Sequence, residues 1–159
     1  MNTDYRDNYP YPREEIIDNP EAVEAKETIR VVLVEPGKLA REAEIGTELE
    51  DLQAAVGGGW IETFYPFESD EMVCIVLDDT GKLNGSLPNR AVYEPDGRIE
   101  DIIFGPFFIC DCSKESFGSL SPEQIEKYKE KFYQPEHFYM IGGEILAEKY
   151  TPAAEKGAR

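Results

Sequence analysis

Ile29-Arg30-Val31-Val32-Leu33-Val34-Glu35 is the stretch that decides the fold. It is β-branched and apolar on both faces, the pattern of a strand covered on both sides of a sheet. Pro36-Gly37 follows as turn chemistry, so the strand stops there. Met72 to Leu77 is wholly apolar and predicts a second central strand. Asp78-Asp79-Thr80-Gly81 ends it, since Asp side chains bond local amides and Gly tolerates positive φ. Lys38 to Ile45 alternates loosely and predicts a returning strand. Trp60 to Phe67 is an aromatic-rich strand entered from Gly57-Gly58-Gly59. Ile99 to Cys112 is a further strand region bent at Gly105-Pro106. The last strand is Met140 to Leu146, broken by Gly142-Gly143, after a short turn at Glu136 to Tyr139. Between Lys82 and Arg98, the Asn84-Gly85, Pro88, Pro95 and Asp96-Gly97 signals predict a long irregular connection.

Two segments carry a helical period. Thr47-Glu48-Leu49-Glu50 reads as a capping box, with Leu49, Leu52 and Val56 as one apolar stripe and Gly57 as the left-handed cap. Ser121-Pro122 with Gln124 opens the second, whose buried stripe is Ile125, Tyr128 and Phe132 and whose end is set by Pro135. Strand runs separated by turns, with helices near Glu48 to Val56 and Pro122 to Tyr133, predict an α+β domain. Its sheet is expected to be mainly antiparallel, with five or six strands, and both helices are expected on one face. The domain spans residues 29–150, between an acidic N-terminal arm (1–28) and a C-terminal tail (151–159). Tyr5, Tyr9 and Tyr11 give the arm something to dock with.

The chain has 159 residues, one domain's worth, and 16 Lys+Arg against 33 Asp+Glu give a net charge of −17. That balance argues against gripping phosphate backbones or anionic lipid, both of which need a basic face. Met1 to Glu15 has no apolar core of the kind a signal peptide needs, and Ile102 to Cys110 is far shorter than a membrane helix. Cys74, Cys110 and Cys112 sit inside apolar strand runs, which predicts reduced, metal-free thiols and a cytoplasmic location.

Motifs for catalysis fail one after another. Gly81-Lys82 resembles the end of a phosphate loop, but Val76 stands where the first glycine belongs and Leu83 replaces the hydroxyl residue. Gly57 to Gly59 enters a strand instead of opening a helix, so it is no dinucleotide fingerprint. A structural zinc wants four ligands, and no spacing gathers Cys110 and Cys112 with Cys74 and the single histidine, His137. Any Cys–His or Ser–His pair must also use His137, which lies in a short turn. Carboxylate-pair catalysis has no supporting motif. The residues therefore predict no catalytic group, no metal and no cofactor.

An ordered string of motifs carries a family resemblance: VEPGK (Val34 to Lys38), LEDLQAAVGGGWIE (Leu49 to Glu62), NGSLPNRAVY (Asn84 to Tyr93), IEDIIFGPFFIC (Ile99 to Cys110) and FGSLSPEQIEKYKEKF (Phe117 to Phe132). Over Ile29 to Tyr150 the chain resembles the family catalogued as domain of unknown function 3846. The resemblance implies a protein carried by phages, plasmids and other mobile elements, encoded near antirestriction proteins. The family has no assigned catalytic residues, so none transfers.

With that resemblance, the charge points to a non-enzymatic acidic protein that antagonises a host nucleic-acid-processing system by binding one of its enzymes. A DNA mimic needs ordered carboxylates, because duplex DNA presents one charge per ~1.7 Å. Glu48, Glu50, Asp51, Asp70, Glu71, Asp78 and Asp79 are the candidates for such a face, although acids in a first helical turn also simply suit the helix dipole. The alternative is a small-molecule binder that sequesters a nucleotide signal. There Arg90 would take a phosphate, Asn89 would read a base edge, and Trp60 and Tyr93 would stack. A structural or regulatory module is the third reading.

Overall fold

In the computed structural model, residues 26–81 and 85–153 are described; the arm up to residue 25 and the last part of the tail lie outside them. IRVVLVE forms the heart of β1 (Thr28–Val34), which pairs with β2 (Arg41–Gly46) and β7 (Phe107–Asp111). β4 (Val73–Asp78) follows β7, and β3 (Ile61–Phe64) closes the far edge. The order is β2-β1-β7-β4-β3 and every pairing is antiparallel.

Side chains alternate across this sheet, and both sides are covered. Val31 and Leu33 share one apolar cluster with Val76, Phe108, Leu52 and Val56. Val32 and Val34 face the other way, into a cluster with Ile75, Phe107, Ile125, Tyr128 and Phe132. The two helices, α1 (Leu49–Ala55) and α2 (Pro122–Lys131), therefore lie on opposite faces. The expectation of one shared face is corrected. Strands that are apolar on both sides need a lid on each, and α1 supplies the first as it crosses from edge strand β2 to edge strand β3.

The other face is closed by α2 together with the hairpin of β5 (Pro88–Tyr93) and β6 (Ile99–Phe104). Much of the expected irregular connection is thus a strand. Pro88 is its first residue, where a missing N–H is tolerated, and Asp96-Gly97 makes the hairpin turn, with the Asp96 carboxylate accepting the Arg98 amide. The C-terminal segment is likewise a full hairpin, β8 (Glu136–Ile141) and β9 (Glu144–Lys149). Gly142 and Gly143 both have positive φ, the two-residue turn that matches strand twist. Among the described residues no helix is long and apolar enough to cross a membrane.

The helix starts differ from each other. Ser121 and Gln124 form the reciprocal capping box, with the Gln124 amide donating to Ser121 Oγ at 3.1 Å and the Ser121 amide to Gln124 Oε1 at 2.9 Å. At α1 the cap is Glu48, one residue later than expected, and no side chain caps it. Replacing Ser121 by Ala should therefore cost about 1 kcal/mol of stability. Thr47→Ala should stay within about 0.5 kcal/mol. Urea unfolding of the two variants checks the difference.

Candidate functional site

α2 and the β5–β6 hairpin leave an open cleft of about 880 Å³ between them, whose walls include Phe64, Phe67, Tyr93, Tyr128, Lys131 and Glu136. Arg90, 1% exposed, also borders it. A guanidinium has five N–H donors. Arg90 Nε donates to the Phe132 carbonyl at 2.9 Å, and Nη1 to Asn89 Oδ1 at 2.8 Å and the Asn89 carbonyl at 3.3 Å. Nη2 donates to the Lys38 carbonyl at 2.6 Å and the Tyr133 carbonyl at 3.4 Å. Phe132 and Tyr133 lie at the C-terminal, negative end of α2, where a cation is favoured. Burial pulls the Arg90 pKa down to about 10, with Glu136 opposing, so the group stays charged at neutral pH.

Asn89 is equally committed. Its Nδ2 donates to the carbonyls of Val34 at 3.0 Å and Gly105 at 2.8 Å, which fixes the hairpin to the end of β1. The side chains of Asn89 and Arg90 thus spend their donors inside the protein. A phosphate or base edge would have to displace bonds already made. Trp60 is 69% exposed and does not line the cleft, so of the four proposed ligand residues only Tyr93 and Arg90 border it.

Two carboxylates organise the cleft walls. Glu136, buried on β8, accepts the Ala91 amide at 2.8 Å and the Tyr93 hydroxyl. Burial and that bond together push the Tyr93 phenol well above its ordinary value. Asp70 accepts Lys127 Nζ at 2.8 Å and the Tyr128 hydroxyl. Those two bonds hold its carboxyl below the usual 3.8, while burial and Asp70 raise Tyr128. No local pattern marks Glu136 in the sequence, because its partners lie on a hairpin more than forty positions away.

The seven candidate acids do not occupy one surface. Asp78 is buried and accepts both the amide and the hydroxyl of Thr80, tucked against Gly59. Asp51 is half-buried against Gly46, with Lys26 at 3.9 Å from its Oδ1 and from Glu48 Oε1. Glu48, Glu50, Glu71 and Asp79 are exposed. Asp70 and Glu71 precede β4 while Asp78 and Asp79 end it, so a strand of that length holds the two pairs roughly 20 Å apart.

The cysteines need a correction. Cys74 and Cys110 are cross-strand partners on β4 and β7, and Cys112 lies next on the same face. Cys74 and Cys112 form a disulfide, and Cys110 stays a free buried thiol. The expectation of three reduced thiols therefore fails, because the β4–β7 register that joins them cannot be read from either strand alone. Burial, with Asp111 adding to it, pushes the Cys110 thiol up to about 12. His137 stacks on the Tyr150 ring at 3.9 Å.

The model of a family described as "Domain of unknown function (DUF3846)" matches residues 29–133, well over half of the chain. The chain belongs to this family. No curated protein and no solved structure matches it. The DUF3846 region holds the five-stranded sheet, both helices and the β5–β6 hairpin. Glu136 reaches the cleft from the β8–β9 hairpin beyond that region.

Arg90→Met leaves the buried Phe132 carbonyl and the part-buried Lys38 carbonyl without the Arg90 donors and should cost about 2–4 kcal/mol in urea unfolding, with Arg90→Lys recovering only part. A second test is acid titration. Because the Asp70 pKa is depressed, its contribution is complete above the unfolded value of 3.8 and is lost as pH falls through the folded value. Asp70→Asn should therefore flatten the fall in melting temperature below about pH 4.

Proposed function

We propose that this DUF3846 protein is a non-enzymatic cytoplasmic binding protein whose exposed acids engage a basic protein surface. The nucleic-acid groove of a host processing enzyme is the surface of matching chemistry. The observation that supports this reading is the net charge of −17, which far exceeds what the fold consumes. Asp51, Asp70, Asp78 and Glu136 have buried or paired structural places; Glu48, which shares Lys26 with Asp51, and Glu50, Glu71 and Asp79 are exposed at the surface. The non-enzymatic part rests on the cleft, where Arg90, Tyr93 and Glu136 are bonded to protein groups. The mobile-element setting that the family resemblance implies supports a partner in host defence.

A second reading, capture of a small anionic ligand, is favoured by the cleft itself. Its volume of about 880 Å³ falls within the usual range for ligand sites, and its lining carries Tyr65, Tyr93, Lys131 and Lys149, although Glu68, Glu94, Glu100 and Glu130 line it too and work against an anion. Arg90 and Asn89 take no part in this version.

One experiment separates the two. Purified protein is used to capture partners from host lysate, and both proteins and small molecules are identified by mass spectrometry. The first reading predicts a basic protein partner whose capture weakens between about 0.05 and 0.5 M salt, since exposed charges are screened. Reversal of Glu48, Glu50, Glu71 and Asp79 to Lys should abolish that capture, and reversal of Lys131 and Lys149 to Glu should not. A recovered nucleotide that is lost on reversing Lys131 and Lys149, with no protein partner, overturns it in favour of the cleft.

A further inference from the structure

The pairing of β4 with β7 gathers three sulfurs on one face of the sheet. Cys74 and Cys110 are fully buried cross-strand partners, and Cys112, one residue past the end of β7, is half-exposed. Cys110 Sγ stands 3.9 Å from Cys74 Sγ and 4.0 Å from Cys112 Sγ, and the three sulfurs all lie within 4.8 Å of one another. Cys74 and Cys112 are joined. A disulfide uses two sulfurs, and this one has a third held at equal distance from both.

We propose that, once the Cys74–Cys112 bond is reduced, Cys74, Cys110 and Cys112 bind a single Cu(I) ion through sulfur alone. A dithiol reductant gives two electrons and two protons to Cys74 and Cys112 and is itself oxidised to a disulfide, leaving three thiols. Cu(I) then displaces thiol protons to solvent and forms copper–sulfur bonds, with no change in oxidation state. This rests on the cytoplasmic reading proposed above: disulfides are rarely kept in a reducing compartment, so the trithiol form is the one that meets metal there.

Two distances fit this assignment. A metal–thiolate bond of about 2.3 Å places the sulfurs of a flat three-coordinate site about 4.0 Å apart, edge to edge. Two edges of the triangle already have that length. The third opens when the bond breaks, and Cys112 can supply the movement by side-chain rotation because it lies beyond the strand. The donor set selects the ion. Soft thiolates favour Cu(I), whereas structural zinc takes four ligands and the described residues place no fourth His, Cys or carboxylate in the group. Val76, Phe108 and Phe117 belong to the same apolar cluster, which keeps water and oxidants from the buried side.

The test is a titration of the full-length protein with Cu(I) after anaerobic reduction and removal of the reductant, against a chromogenic Cu(I) chelator. The expected result is one copper per chain and three sulfur neighbours by X-ray absorption. Cys110→Ala should weaken binding on the order of 100-fold or more. Cys112→Ser, at the half-exposed position, should do the same and covers the case in which the Cys110 variant fails to fold. Copper held equally well by Cys110→Ala, a count of two sulfurs, no uptake against the chelator, or a single Zn(II) taken in preference would each overturn the proposal.

Discussion

A fully buried guanidinium holds the upper end of this molecule together. Arg90 reaches the β1–β2 turn through the Lys38 carbonyl, the end of α2 through Phe132 and Tyr133, and its own hairpin through Asn89. Asn89 extends the same network to Val34 and Gly105. Burying a charge is costly, and here the partial charges of the accepting carbonyls, together with the nearby Glu136 carboxylate, carry the compensation. The helix end, the turn and the hairpin also meet in one apolar cluster, through Phe132, Ala40 and Val92. Their mutual placement, and hence the cleft, follows from where one side chain can find its acceptors.

Much of the architecture was legible because it is locally encoded. IRVVLVE and VCIVLD are apolar on both faces, and only a two-sided core accommodates such strands. The Ser121–Gln124 box marks its helix within a residue. Other features depend on partners distant in sequence. Pro88 and Asp96-Gly97 look like breakers, yet they bracket a strand whose stability comes from β6. Helices on opposite faces follow from α1 spanning the sheet between its two edge strands, a fact of topology that no stripe of Leu and Val records.

The site was harder to read, and for a physical reason. Asn89 and Arg90 have the chemistry of ligand capture, and nothing in NGSLPNRAVY distinguishes a donor offered to solvent from one offered to a backbone carbonyl. Asp78 likewise reads as a surface turn acid, although its carboxylate is buried beneath Thr80 and against Gly59. Only Tyr93 and Arg90 of the four ligand candidates border the cleft. Spacing puts Cys110 and Cys112 on one side of a strand, but it cannot add Cys74, which depends on the register that sets it opposite Cys110.

The β8–β9 hairpin brings to the cleft a group from outside the matched region. Tyr93 and Ala91 belong to the region shared with the family, but the carboxylate that receives both comes from Glu136, outside it. One carboxylate of the last hairpin thus ties that hairpin to β5. The negative charge of the cleft wall at this point is therefore set by a residue that neither α2 nor the β5–β6 hairpin contributes.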